Sequence, residues 1–318
     1  MQQYLVDEFY DMGKAVGSLD AIAEKCKADV AGRRNAYSLS DVNWDDIQVL
    51  EYQKPRSWRL VGFEERSGGM EETQFRVQGI LVGKELPPVT MNGNVGQMRR
   101  ARRYLRQHIR LFGGNATAFQ EAADAIEKAY ITFSGHFPDD GMAKWEPPTR
   151  ENLPAIEVSS RYLTPRAACS PESVLEVDDM IDPTRALRRM MEDDFVHGPD
   201  NKVDYKKRIE VDGISRWQDL SPVSFKLGDI VEAVVAFVCY RNQQGQATMT
   251  VALRGLTLLD CSHRNTAAIL RMKNRISMQQ GNTNILKRRS AYDDDDEDIR
   301  LAREKMAQLN IYQFQLPE

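Results

Sequence analysis

At 318 residues, with 42% hydrophobic and 28% charged side chains, the chain has apolar material for one large domain or two ordinary ones and falls outside the disordered class. No run approaches the roughly 20 apolar residues of a membrane-spanning helix. The start MQQYLVDEFY lacks an export pattern, and four scattered cysteines without a CxxC suggest neither a disulfide framework nor a four-thiolate zinc site. The expectation is an intracellular protein, nuclear or cytoplasmic, with no cofactor and no membrane contact.

In chain order, Leu5, Phe9, Met12, Val16, Leu19 and Ala23 recur on one face of a 3.6-residue period and predict an N-terminal helix. Residues 58–63 read as a strand, Gly68-Gly69 as a turn, and Phe75, Val77, Ile80 and Val82 as a second strand. Pro87-Pro88 and Asn92-Gly93-Asn94 mark a loop. Next, Met98, Ala101, Leu105, Ile109 and Phe112 share one helical face and Arg99, Arg103, Arg106 and Arg110 another, which predicts a helix carrying an arginine ridge. A further helix is expected after Gly113-Gly114, opened by Thr117 and Gln120 as a capping box, with Phe119, Ile126 and Phe133 inward. Residues 135–154, rich in Pro, Gly, Asp and Asn, read as a linker.

Asp182-Pro183 reads as a helix start with Leu187, Met190 and Met191 inward, and residues 194–204 as a loop. Residues 230–240 are apolar on both faces except Glu232, the pattern of a central strand. The chain turns at 242–245 and returns through Met249, Val251 and Leu253, with Thr248, Thr250 and Arg254 opposite. The inward set then switches to Leu256 and Leu258 after Gly255, as a glycine bulge would produce. Ile299, Ala302, Met306 and Leu309 predict a C-terminal helix. The expected class is α+β: N-terminal helices with a small hairpin over 1–134, a linker at 135–154, a β-rich domain over 155–263 (a small barrel or sandwich), and a charged tail over 264–318.

The net charge of −4 is a cancellation: windows 1–98, 99–130, 131–224, 225–292 and 293–318 carry −4, +4, −6, +7 and −5. The sharper basic island holds Arg264, Arg271, Lys273, Arg275, Lys287, Arg288 and Arg289 without an acid among them, followed by an acidic run at 293–298. Cations at that density suit a polyanion, the acidic run acting as internal competitor; a solvated, locally neutralised tail is the plainer reading. The segment 264–289 has amides but no aromatic side chain, so it suggests backbone contact rather than base reading, with Phe237 and Tyr240 as nearby rings that could stack.

Other chemistry is sparse, since no phosphate-cradling glycine motif, nucleophile elbow or HExxH occurs. Asp193, Asp194, His197, Asp200 and Asp204 offer metal-ligand atoms, above all Asp194, His197 and Asp200, though the spacing matches no known metal loop. Asp200, Asp204 and Lys206 have nuclease-type chemistry, but three intervening residues are too few for the hairpin that normally positions such groups. Cys261 and His263 place a thiol and an imidazole close in sequence, where a buried cysteine at a strand end is the plainer reading.

The blocks Tyr162 to Ala167, Asp182 to Asn201, Leu220 to Glu232 and Val251 to Asp260 resemble an uncharacterised multi-copy protein family of mushroom-forming (agaricomycete) fungi. The likeness covers about residues 55–260 and leaves the charged C-terminal extension outside it. The resemblance implies no catalytic residue, because that family has no established activity. Its many copies would suit passengers of mobile elements, which points toward nucleic acid by association. The leading expectation is therefore a non-enzymatic protein that contacts DNA or RNA backbone, with a protein-interaction or structural module second and a metal-dependent enzyme third.

Overall fold

Strands hold more of the described residues than helices do, including a segment whose sequence reads as helical. A computed structural model describes residues 8–28, 36–64, 67–89, 100–137, 141–211, 214–281 and 304. The first elements are α1 (Met12–Ala28), β1 (Tyr37–Ser38), β2 (Gln48–Gln53), β3 (Arg56–Glu64), β4 (Gly69–Glu72) and β5 (Phe75–Glu85). Then come β6 (Arg106–Phe112), α2 (Thr117–His136), β7 (Thr149–Arg150), β8 (Leu153–Arg161), β9 (Thr164–Pro165) and α3 (Ala186–Met191). The chain continues through β10 (Phe195–Val196), β11 (Asp204–Val211), β12 (Ile214–Asp219), β13 (Ile230–Arg241), β14 (Ala247–Asp260) and α4 (Ser262–Gly281).

The class is α+β. A 12-stranded sheet runs β12-β11-β14-β13-β5-β6-β8-β7, with β1 beside β5 and β2 and β4 attached through β3, which pairs with β13. β9 and β10 pair separately. The sheet curls until β8 packs against β14, but the two strands form no ladder, so it is not a closed barrel.

β5 and β6 lie between β13 and β8, so strands from both sides of residues 135–154 share one sheet. Instead of a linker, that segment holds the end of α2, an isolated bridge from Met142 to Ala247, and β7. The chain divides into one unit over residues 1–271 and another over residues 272–318.

The expected arginine-ridge helix is corrected over its second half. From Arg106 the chain is strand β6, which buries Gln107, Ile109 and Leu111 and turns Arg106, His108 and Arg110 to the other face. Leu105 and Ile109 fit both periods and Phe112 the helical one alone, so pairing with β5 and β8 on either side is what selects the strand. α2 begins where expected, but its N-cap is Ala116 and no capping box forms. Asp20 of α1 instead accepts from the Ala118 amide at 3.3 Å, and Gln120 reaches back to the Gly114 carbonyl at 2.7 Å. α3 starts four residues after Asp182, whose two carboxylate oxygens still cap it by accepting from the Leu187 and Arg188 amides, each at 3.0 Å.

Phe75, Phe112, Phe119, Phe133, Phe225 and Phe237 are among the fully buried side chains, each worth about 1.5–3 kcal/mol of transfer energy. In the β13–β14 ladder, Val234 faces Gly255 and Val235 faces Leu253, so Arg254 is the extra residue of a bulge, next to the glycine where the parity switch placed it. No described helix is long and apolar enough to cross a membrane.

Candidate nucleic-acid interface

The unclosed seam between β8 and β14 holds two cavities. The first, about 340 Å³, is lined from β8 by Ser159, Ser160 and Arg161, from β14 by Thr250, Ala252 and Arg254, and from β3 and β13 by Arg56, Trp58, Tyr240 and Arg241. Arg106 of β6 lines it too, as do Asp200 and Asn201. Five guanidiniums thus line a cavity whose only lining carboxylate among the described residues is Asp200.

These arginines divide into two groups. Arg254, re-aimed by the bulge, meets Glu72 at 2.7 Å and Asp200 at 3.4 Å, and Arg59 meets the same two acids at 2.9 Å and 2.7 Å. This partly buried four-group network balances two cations with two carboxylates, and its members are committed to one another. Arg56 pairs with Glu51 at 2.8 Å. Arg106, Arg161 and Arg241, by contrast, make no ion pair with a described carboxylate. Arg106 donates to the Ser159 hydroxyl at 3.3 Å, and Arg241 donates to the Gly245 carbonyl at 2.5 Å. Burial, then the like charge of Arg161, hold the Arg106 guanidinium below its ordinary pKa.

Aromatic rings lie under these cations. Arg161 sits 5.3 Å from the Tyr240 ring centroid, and Arg56 and Arg241 lie at 5.6 Å and 5.2 Å from that of Trp58. The combination can hold phosphate oxygens by charge-assisted hydrogen bonds while offering flat apolar surface close by.

The predicted residues are scattered by comparison. Arg99, Lys287, Arg288, Arg289, the acidic run at 293–298 and the expected C-terminal helix lie outside the described residues. Arg103 is exposed in a turn before β6. Arg106 lines the cavity, while Arg110 is held by the Thr149 carbonyl at 2.7 Å and Glu157 at 3.5 Å. Arg264 lies 2.6 Å from Asp229, a fully buried carboxylate, and so serves the fold. Arg271, Lys273 and Arg275 are exposed on α4.

The metal candidates are not brought together. Asp194 pairs with Arg102 at 2.8 Å, Asp200 joins the Arg59 and Arg254 network, and His197 is buried with Nδ1 2.9 Å from the Tyr162 carbonyl. Burial holds the His197 imidazole below its ordinary pKa. Asp204 pairs with Lys202, and Lys206 with Asp219, which disperses the nuclease trio. No group of three metal-ligating side chains occurs among the described residues. α4 starts at Ser262, so the strand does not continue through Cys261 and His263; the imidazole instead lies 3.0 Å from the Ser18 hydroxyl.

Sequence reasoning missed Arg161, Arg241 and Trp58. Arg161 and Arg241 end strands β8 and β13, where a charge looks like ordinary solvated punctuation. Tyr240 was within reach of that reasoning and lines the cavity, whereas Phe237 is fully buried against Phe75.

No protein-family model and no curated protein matches the chain. Among solved structures, gp2.5, a single-stranded DNA binding protein encoded by bacteriophage T7, is similar over 59% of this chain and 86% of that one, at 11% identity and a TM-score of 0.30. A likeness at that level does not bear on function.

Proposed function

We propose that this protein binds nucleic-acid backbone through the groove between β8 and β14, without catalysis. The observation that carries this reading is the set Arg106, Arg161 and Arg241, three guanidiniums without a described carboxylate partner around one cavity with aromatic walls. An uncompensated cluster of like charge needs an anion, and the aromatic surroundings favour a strand whose bases can lie flat over a lone phosphate or sulfate. The groove replaces Arg264 as a contact, since that side chain is committed to Asp229.

Fluorescence anisotropy with a labelled 20-nucleotide DNA or RNA tests this. The double variant Arg106→Ala, Arg161→Ala is expected to bind at least about tenfold more weakly, since each charge-assisted hydrogen bond is worth about 1.5–3 kcal/mol. Unchanged affinity in a folded double variant removes the groove from the interface.

A second reading, protein interaction, is favoured by α4, on which Ile269, Leu270, Met272 and Ile276 are all exposed.

A further inference from the structure

The second cavity on the seam, about 280 Å³, shares Arg106, Ser159 and Thr250 with the first. The two therefore adjoin, with Arg106 at the junction. Beyond it the lining changes from cationic to apolar: Trp145, Pro147, Pro148, Pro154, Ile126 and Val251. The Trp145 ring is held against Tyr130, with ring centroids 6.2 Å apart and planes at 31°, so its position is set before any ligand arrives.

Apart from Arg106, Ser159 and Thr250, the polar side chains in this lining are His108, Glu146 and Glu157. His108 lies 4.0 Å from Glu157, which Arg110 also approaches at 3.5 Å. Burial holds His108 below its ordinary pKa, against the pull of Glu157 and Glu85 and with the help of Arg110 and Arg106. The polar edge is thus an imidazole beside the Glu157 carboxylate, with Glu146 as a second carboxylate of the lining. A carboxylate accepts hydrogen bonds only, so it suits a ligand edge that bears an amino group.

Resting on the groove reading above, we propose that this cavity is a base subsite: it takes one unpaired, amino-bearing nucleobase from a single strand whose adjoining phosphate lies on Arg106. The cavity, at about 280 Å³, has room for one ring system of nucleobase size. A duplex keeps its bases stacked inside and cannot fill it without flipping one out. The subsite therefore makes the protein prefer single strands over duplex, and cytosine or adenine over thymine or uracil, whose flanking carbonyls would face the Glu157 carboxylate.

The test compares anisotropy titrations of dC15, dT15 and a mixed 15-base-pair duplex with the full-length protein and with Trp145→Ala, Trp145→Phe and Glu157→Gln, each checked for folding by circular dichroism melting. The parent should bind dC15 more tightly than dT15 and the duplex most weakly. Trp145→Ala should lose about tenfold on dC15, the scale of one stacked base, and Trp145→Phe much less. Glu157→Gln should erase the preference for dC15 over dT15, because an amide can donate as well as accept. Equal affinity of the parent for dC15 and dT15, or undiminished dC15 binding by a folded Trp145→Ala, overturns the subsite. If that happens while Arg106→Ala, Arg161→Ala still weakens binding, the groove stands and the subsite alone falls; if the arginine variant also binds normally, both readings fall.

Discussion

Arg264 illustrates how a cation in a basic stretch can belong to the core. Its partner Asp229 is fully buried and receives the Lys226 amide at 2.7 Å, while the Arg264 side chain is 30% exposed. Burial raises the Asp229 pKa despite the pull of Lys226 and Arg264, so this carboxylate needs its cation more than the cation needs it. Arg264→Ala should therefore cost about 3 kcal/mol by taking the ion-pair partner from a buried carboxylate, and Asp229→Asn clearly less, as read from urea midpoints. Equal costs would contradict this asymmetry. His197 gives a second residue-scale prediction. Its folded pKa is depressed by burial, so the unfolded chain, with an ordinary value of about 6.5, takes up the proton first. The stability it contributes is full above that value and is lost as pH falls through about 6.5 toward the folded pKa. Between pH 7.5 and 5, His197→Gln should lose less stability than the parent; parallel losses would mean that the imidazole charges freely in the fold.

At the scale of elements, the strands buried on both faces were legible because their residues leave one reading. Residues 230–240 and the parity switch at Gly255 locate β13, β14 and the bulge, and the run from Phe75 locates β5. β6 was not legible as a strand, since Leu105 and Ile109 satisfy a helical period as well as an alternating one, Phe112 fits the helical one alone, and the β5 and β8 ladders decide for the strand. The caps were partly legible. Asp182 does cap a helix, at a distance of five and six residues, but the Asp20 contact to α2 joins residues 98 apart and leaves no local signature. Gly113 shows a similar long-range demand: a Cβ there would lie 2.1 Å from the Phe119 ring, so the turn into α2 needs glycine for close approach, beyond marking a loop. The candidate site was the least legible part. Its residues come from β3, β6, β8, β13 and β14, and the curl that brings β8 to β14 is not written in any one of them.

For the molecule as a whole, the charge that matters to a polyanion is local. A net of −4 opposes binding only at long range, and at 0.15 M salt such fields fade within about 8 Å. Affinity should follow the phosphates neutralised at the contact, and each such contact on a single strand adds about 0.7 to the slope of log K against log salt. Arg106, Arg161 and Arg241 together therefore predict a slope shallower by about 2 in the triple alanine variant than in the parent. The basic residues of the tail offer a rival source of the same effect, because Lys287, Arg288 and Arg289 also number three. The two sources separate under titration from 50 to 200 mM salt. If the groove is the interface, its triple variant flattens the slope and the tail variant Lys287→Ala, Arg288→Ala, Arg289→Ala leaves it near the parent value. If the tail variant flattens the slope and the groove variant does not, the cations that meet phosphate are those of residues 287–289, and the seam between β8 and β14 is not where the strand is held.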